Sequence, residues 1–192
     1  MKKIILIAVL STGLCATAQK RVRGDVELTP YIGYHSSTYS SDNSTNTNTL
    51  NTVQIGVLGD FYFNNRWSIR TGLQSQTMGV EVFGFDEKLN YIQIPVNANW
   101  HFGSSRAWNL NFGLTGGVLT SAKADGEDFS EKVEGTQIGL SFGIGYKIFL
   151  NKRTGLLIDY QAFSGMTDIS KDPRFDVRNV AGSLNLGCVV RL

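Results

Sequence analysis

The sequence predicts an all-β protein, an eight-stranded antiparallel up-and-down transmembrane β-barrel that follows a cleaved signal peptide. Three observations carry this expectation. Between residues 26 and 192 apolar and polar side chains alternate with period 2 in eight segments, as strands with one apolar face require. Connections alternate between long polar stretches (Ser36 to Asn51, Met78 to Lys88, Thr120 to Gly135, Gly165 to Arg178) and tight ones (Asn64 to Arg66, Gly103 to Arg106, Asn151 to Arg153). All long loops then fall at one end of the sheet, the asymmetry of a barrel between two different aqueous sides. Third, Trp67, Trp100 and Trp108 all lie beside tight turns, where an aromatic girdle at one membrane interface would sit.

Residues 1–18 read as the signal peptide. Lys2 and Lys3 form a basic n-region, Ile4 to Leu14 an apolar h-region, and Ala16-Thr17-Ala18 an A-x-A cleavage site. Leu14 is too bulky for the position before a lipid-modified cysteine, which argues against Cys15 as a lipoprotein site. The apolar run is also shorter than the ~20 residues a helical anchor needs. Residues 19–192 then form one barrel domain. Cleavage takes Lys2 and Lys3 from the 18 basic residues and leaves 16, equal to the 16 acidic ones. A chain without basic excess argues against nucleic acid as a partner, since phosphate binding normally needs a basic excess gathered on one face. Cys15 leaves with the signal, so Cys188 stays alone and no intramolecular disulfide forms.

The strands follow in order. The first, Val26 to Tyr34, is the least regular, with Leu28, Ile32 and Tyr34 on its apolar side. The second sets Val53, Ile55, Val57 and Phe61 against Gln54, Leu58, Asp60 and Tyr62. In the third, Trp67, Ile69 and Leu73 oppose Ser68, Arg70, Gln74 and Gln76. The fourth sets Ile92, Ile94, Val96 and Trp100 against Gln93, Asn97, Asn99 and His101, and Pro95 predicts a bulge or local irregularity there. The fifth opposes Trp108, Leu110, Phe112 and Leu114 to Asn109, Asn111 and Thr115. The sixth, the cleanest, opposes Ile138, Leu140, Phe142, Ile144 and Tyr146 to Gln137, Ser141 and Lys147. The seventh opposes Leu156, Ile158 and Tyr160 to Asp159 and Gln161, and the eighth Leu184, Leu186, Cys188 and Val190 to Ser183, Asn185 and Arg191.

Alternation alone does not say which face is inside. A soluble lipocalin-like barrel turns its apolar face inward around a ligand, a membrane barrel outward to lipid. Bulky apolar stripes opposite stripes of glycines and amides suit the narrow interior of an eight-stranded barrel and favour the membrane, as do the tryptophans and the loop asymmetry.

Tyr91-Ile92-Gln93-Ile94-Pro95-Val96, then Gly113, Gly116 and Gly117, then Gly139, Gly143 and Gly145, and finally Asp159-Tyr160 through Gly165-Met166-Thr167-Asp168-Ile169 together resemble the small outer-membrane β-barrel proteins common in Bacteroidota, often labelled PorT-like. The resemblance covers essentially the whole mature chain. It implies fold and location and says little about activity. Many outer-membrane barrels end in an aromatic residue, and this chain ends in Leu192.

Chemistry is sparse. Asp60, Arg70, Lys147, Asp159 and Arg191 fall on the polar stripes and are expected to form a lumenal ion-pair and amide network, since buried charges persist only when paired or wet. His35 and Ser37, two apart, evoke a lipid-acting Ser/His pair, but their parity turns them to the lumen or a loop, away from a lipid substrate. His101 is expected to be a polar lumen residue. Acidic residues at Asp125, Glu127, Asp128, Glu131 and Glu134 do not match an EF-hand loop, and two histidines with one mature cysteine give no transition-metal spacing. The reading is therefore a monomeric, non-enzymatic barrel without cofactor. It contacts outer-membrane lipid, keeps both termini in the periplasm, and offers four external loops to an unidentified protein or surface ligand. A lipid-modifying enzyme and a soluble ligand-binding barrel are the alternatives.

Overall fold

Period-2 segments rich in β-branched and aromatic residues pair with their neighbours because no strand can satisfy its own backbone groups. The computed structural model describes residues 21–41, 48–82 and 85–192. The expected signal peptide and the middle of the first polar stretch, 42–47, lie outside the described residues. Eight long strands are present among them: β1 (Val26–Ser41), β2 (Asn48–Tyr62), β3 (Trp67–Val82), β4 (Phe85–Phe102), β5 (Trp108–Ala124), β7 (Thr136–Phe149), β8 (Thr154–Gly165) and β9 (Val177–Arg191). A two-residue β6 (Glu127–Asp128) and one 3-10 turn (Ser130–Lys132) lie between β5 and β7. Every pairing is antiparallel. β1 pairs with both β2 and β9, and β4 with both β3 and β5, so the sheet closes into a barrel.

Burial decides the face. Val53, Ile55 and Val57 on β2 and Leu140, Phe142 and Ile144 on β7 are 40–61 % exposed, whereas Gln54, Asp60, Gln137 and Lys147 are at most 3 % exposed. Apolar side chains point outward and polar ones inward, which overturns the soluble lipocalin-like alternative: its ligand face would have to be the apolar one.

The strands are longer than the sequence pattern suggests, running from 12 residues in β8 to 18 in β4, against the ~9–11 that cross a bilayer. The stretch from Met78 to Lys88, expected as a long loop, is mostly ladder: Thr77↔Asn90 continues to Val82↔Phe85. Met78, Val80 and Leu89 are fully buried there, so inward apolar packing rewards continued pairing. The polar stretch after Ser36 likewise begins as strand up to Ser41. In the third connection β5 runs to Ala124 and turns at Asp125-Gly126, both with positive φ (49° and 86°), the two-residue Asp-Gly hairpin that suits strand twist. The short-turn end and the long-loop end remain distinct.

Pro95 stays in register. β4 keeps Pro95↔Thr115 with β5, while on the β3 side the bridges between Gln74↔Gln93 and Thr71↔Val96 are missing without any shift. The missing N–H is confined to one side of the strand. The register shift between β4 and β5 lies at Asn90/Tyr91, where β5 carries Thr120 as the extra residue between Leu119 and Ser121, and not at the proline.

Candidate functional site

The lumen holds the groups with the most chemistry, stacked in three layers. Nearest the short turns is an ionic layer. Asp60 on β2 accepts from Arg70 Nε of β3 (3.1 Å) and Nη2 (3.2 Å), from Asn99 Nδ2 of β4 (2.8 Å) and from Lys147 Nζ of β7 (2.6 Å). Lys147 also donates to Glu27 Oε2 (2.7 Å) and Tyr62 OH (3.2 Å), and Tyr62 OH donates to Glu27 Oε2 (2.8 Å). Arg70 Nη1 reaches Asp159 on β8 (3.3 Å), whose other oxygen accepts from Gln161 Nε2 (2.6 Å). Arg21, from the segment before β1, folds into this layer. Its Nε meets Glu27 Oε1 at 2.7 Å, its Nη1 donates to the Arg106 carbonyl (3.0 Å), and its guanidinium lies 4.9 Å from the Tyr62 ring centre. Three cations thus face three carboxylates across the whole bore, all at most 1 % exposed.

Four of the five residues expected in this network, Asp60, Arg70, Lys147 and Asp159, are brought together. Arg191 is not. It lies at the end of β9, where it pairs with Asp25 at the rim, because the lumenal stripe of β9 leaves the bore at that residue. Arg21, Glu27 and Tyr62 complete the layer. Tyr62 was already on the polar stripe of β2, and Glu27 was legible from the parity of Leu28 and Ile32. No strand pattern covers Arg21.

Above the ions lies an amide layer. Gln54 Nε2 donates to Asn185 Oδ1 (2.6 Å), Tyr31 OH to Gln74 Oε1 (2.9 Å), Asn97 Nδ2 to Asn111 Oδ1 (2.8 Å) and Ser141 Oγ to Asn97 Oδ1 (2.7 Å), and Gln76 bonds Gln93. Glycines on the facing strands make the room. A Cβ on Gly56 would lie 2.7 Å from the Tyr31 ring, and one on Gly143 2.2 Å from the Gln161 amide. A cavity of about 40 Å³, measured as space for the centre of a water molecule, remains among Tyr31, His35, Gln54, Gln74, Asn97 and Ser183, room for a few waters.

The third layer is apolar and closes the long-loop end. Met78, Leu89, Tyr91, Ala122, Phe163 and Ala181 pack with Val133 and Ile169 from the third and fourth connections. Those connections hold each other: Glu134 N donates to Ile169 O (2.9 Å) and Lys171 N to Lys132 O (3.1 Å). Among the described residues, side chains thus occupy the bore in all three layers, with the small cavity of the amide layer between them.

The remaining candidates are placed as follows. His35 and Ser37 are buried in the lumen, and Ser37 Oγ receives the Gly79 N–H (3.0 Å), so neither side chain reaches the lipid face. His101 is buried with Nε2 3.0 Å from Ser68 Oγ. Cys188 is exposed on the outer face. Among the described residues no three His, Cys, Asp or Glu are grouped to hold a metal ion. Loop carboxylates serve local turns instead. Asp128 accepts the Ser130 backbone N–H (2.8 Å), which lowers its pKa, and hydrogen bonds from the Arg174 side chain, then from its backbone, hold Asp172 at about 2.

Outside the barrel, Trp67 and Trp100 stack with ring centres 6.3 Å apart. The row continues through Phe102 (5.0 Å), Trp108 (6.2 Å) and Tyr146 (4.8 Å), a continuous aromatic band over β3, β4, β5 and β7 at the short-turn end.

Solved structures share this architecture. Neisserial surface protein A superposes with a TM-score of 0.58 at 15 % identity, covering 88 % of this chain and 99 % of its own. OprG from Pseudomonas aeruginosa gives 0.54 at 12 %, covering 90 % and 97 %. Ail, the attachment invasion locus protein of Yersinia pestis, in complex with the heparin analogue sucrose octasulfate, gives 0.51 at 18 %, covering 89 % and 100 %. At these identities the likeness is one of fold. No curated protein sequence matches the chain. The profile of the outer membrane protein beta-barrel domain matches residues 6–188. With nearly the whole chain matched and its apolar face turned outward, this protein belongs to the outer membrane protein beta-barrel domain family and is located in the outer membrane.

Proposed function

We propose that this chain is a non-enzymatic, monomeric structural barrel that closes its own bore and presents its long-loop end to the exterior for contact with a protein or surface ligand. The three-layer filling of the lumen carries this reading, because an ion path would have to break charge-assisted hydrogen bonds at one end and expose apolar side chains at the other. The long-loop end also offers exposed apolar side chains, Phe85, Met166 and Phe175, in a surface where carboxylates outnumber cations. That charge does not favour a polysulfated ligand of the kind bound to Ail, and fits a neutral or basic protein surface better. A lipid-modifying enzyme finds no support at His35 and Ser37, which face inward.

Planar bilayer recording tests the closed bore. The reconstituted protein should show no stable, large-conductance steps, and porin-like steps would overturn the reading. Photo-cross-linkers at Phe85 and Phe129 in living cells should trap a partner at the outer end.

A further inference from the structure

The small formal net charge of +2 hides a separation along the barrel axis. The ionic layer of the lumen is neutral in itself. At the long-loop end carboxylates outnumber cations, and Arg174, Arg178 and Lys88 are each engaged locally, by Asp172, Asp176 and Asp86. The short-turn end differs. Arg23, Arg66, Arg106, Lys152, Arg153 and Arg191 gather there against a single acidic side chain among the described residues, Asp25, which Arg191 already holds, and the chain-terminal carboxylate of Leu192. Arg23, Arg66, Lys152 and Arg153 are exposed and make no salt bridge among the described residues.

These cations are distributed around the whole rim. Arg66 sits in the β2–β3 turn, Arg106 in the β4–β5 turn, Lys152 and Arg153 in the β7–β8 turn, and Arg23 and Arg191 where the chain enters and leaves the barrel. Backbone bonds fix them. The Arg153 carbonyl accepts the Arg191 N–H (2.8 Å), the Arg66 carbonyl accepts the His101 N–H (2.6 Å), and the Gly24 N–H ties the segment beside Arg23 to the Tyr62 carbonyl (3.0 Å). Depth is set by the aromatic band. Arg66 immediately precedes Trp67, and Arg106 lies two residues before Trp108. Aromatic belts mark the membrane–water interface, so Arg66 and Arg106, one and two residues beyond the band, lie in the headgroup layer, and the other cations sit on the same rim. Like charges gathered at one depth repel unless a counter-charge is supplied, and the anion available at that depth is lipid phosphate, which guanidinium groups bind with matched forks.

We infer that the short-turn rim is a collar that binds the headgroups of anionic phospholipids in the leaflet it contacts. This surface is independent of what the long loops meet and of which end faces the exterior.

The protein's three tryptophans all belong to the band beside the collar, so their fluorescence reads the adjoining lipid. The full barrel is reconstituted in phosphatidylcholine bilayers containing acyl-brominated phosphatidylglycerol or acyl-brominated phosphatidylcholine at equal mole fraction. At low salt the anionic quencher should be enriched about twofold or more over the zwitterionic one, and the ratio should fall toward one near 0.5 M salt as screening shortens. The variant R66Q/K152Q/R153Q should bring the ratio close to one at low salt, and R66K/R153K should retain it. A gel-mobility difference between unheated and boiled samples confirms that each variant is folded. Equal quenching by the two lipids in the unsubstituted protein, or a preference that survives R66Q/K152Q/R153Q, would overturn the collar.

Discussion

At the residue scale the lumen depends on a few groups that cannot be removed singly. Lys147 is fully buried between Glu27, Asp60 and Tyr62, so its removal leaves two cations against three carboxylates, one uncompensated negative charge in a narrow buried layer. Breaking a buried pair by deleting one partner costs about 3–5 kcal/mol, even where replacing the whole pair by apolar groups is nearly neutral. Lys147→Met should therefore lower stability by about that much, read as a shift of the urea unfolding midpoint of the refolded barrel in lipid. Adding Glu27→Gln should recover part of the loss by restoring the charge balance of the layer, with the amide oxygen still able to accept from Arg21 and Asp60 keeping its bonds from Arg70 and Asn99. A double variant no more stable than Lys147→Met alone would mean that packing, and not the ionic layer, sets the cost. Glu27 was readable in the sequence, since Leu28 and Ile32 fix the parity of β1. Arg21 was not, because its segment has no strand pattern and its partners, Glu27 and the Arg106 carbonyl, are set by the barrel's closure.

At the scale of elements, strand length and register are the points where pattern and structure part. The sequence suggests a long connection from Met78 to Lys88. The structure continues β3 and β4 through it, and Gly79 is what makes this feasible. Its φ is +145°, and an added Cβ would lie 1.8 Å from the Glu87 carbonyl on the paired strand. From the lumenal side Ser37 of β1 reaches past β2 to bond both backbone groups of Gly79. Gly79→Ala should therefore disrupt the outer part of the β3–β4 ladder and cost about 1–3 kcal/mol, the range for strained backbone. Amide exchange should quicken from Gly79 to Val82 and stay slow near Trp67↔Trp100. Unchanged exchange would show that the strand ends tolerate the side chain. Pro95 gives the complementary lesson: a missing N–H costs two bridges toward β3 and leaves the register intact, because β5 holds the other side.

At the scale of the molecule the barrel is closed by contacts between connections distant in sequence. Val133 and Ile169, both nearly buried, meet over Met78, Leu89 and Phe163, and the backbone bonds of Glu134 and Lys171 tie their two segments together. Truncating a buried isoleucine costs at least about 2 kcal/mol. Here it should loosen the cap locally and leave the barrel folded, since loop regions open as separate low-stability units. Ile169→Ala should thus speed exchange of the Glu134 and Lys171 amides by roughly tenfold or more, with protection of the β5–β7 ladder unchanged. A uniform loss of protection over the whole chain would instead make the cap part of one cooperative unit with the barrel.

The sequence by itself determined the number of long strands, their antiparallel order, the distinction between short-turn and long-loop ends, and the membership of each face. All of these follow from local alternation and turn composition, which need no distant partner to be legible. The outward turn of the apolar face was also legible, from side-chain bulk and the tryptophans rather than from alternation. Tertiary structure decided how far the strands extend, that Arg191 leaves the lumenal network while Arg21 and Glu27 join it, and that two polar connections fold into an apolar seal. Those outcomes depend on closure. Only when β1 meets β9 and β4 meets β5 do residues from opposite ends of the chain share one narrow bore, where charge balance, side-chain volume and the need to bury Val133 and Ile169 select among arrangements that alternation leaves equal.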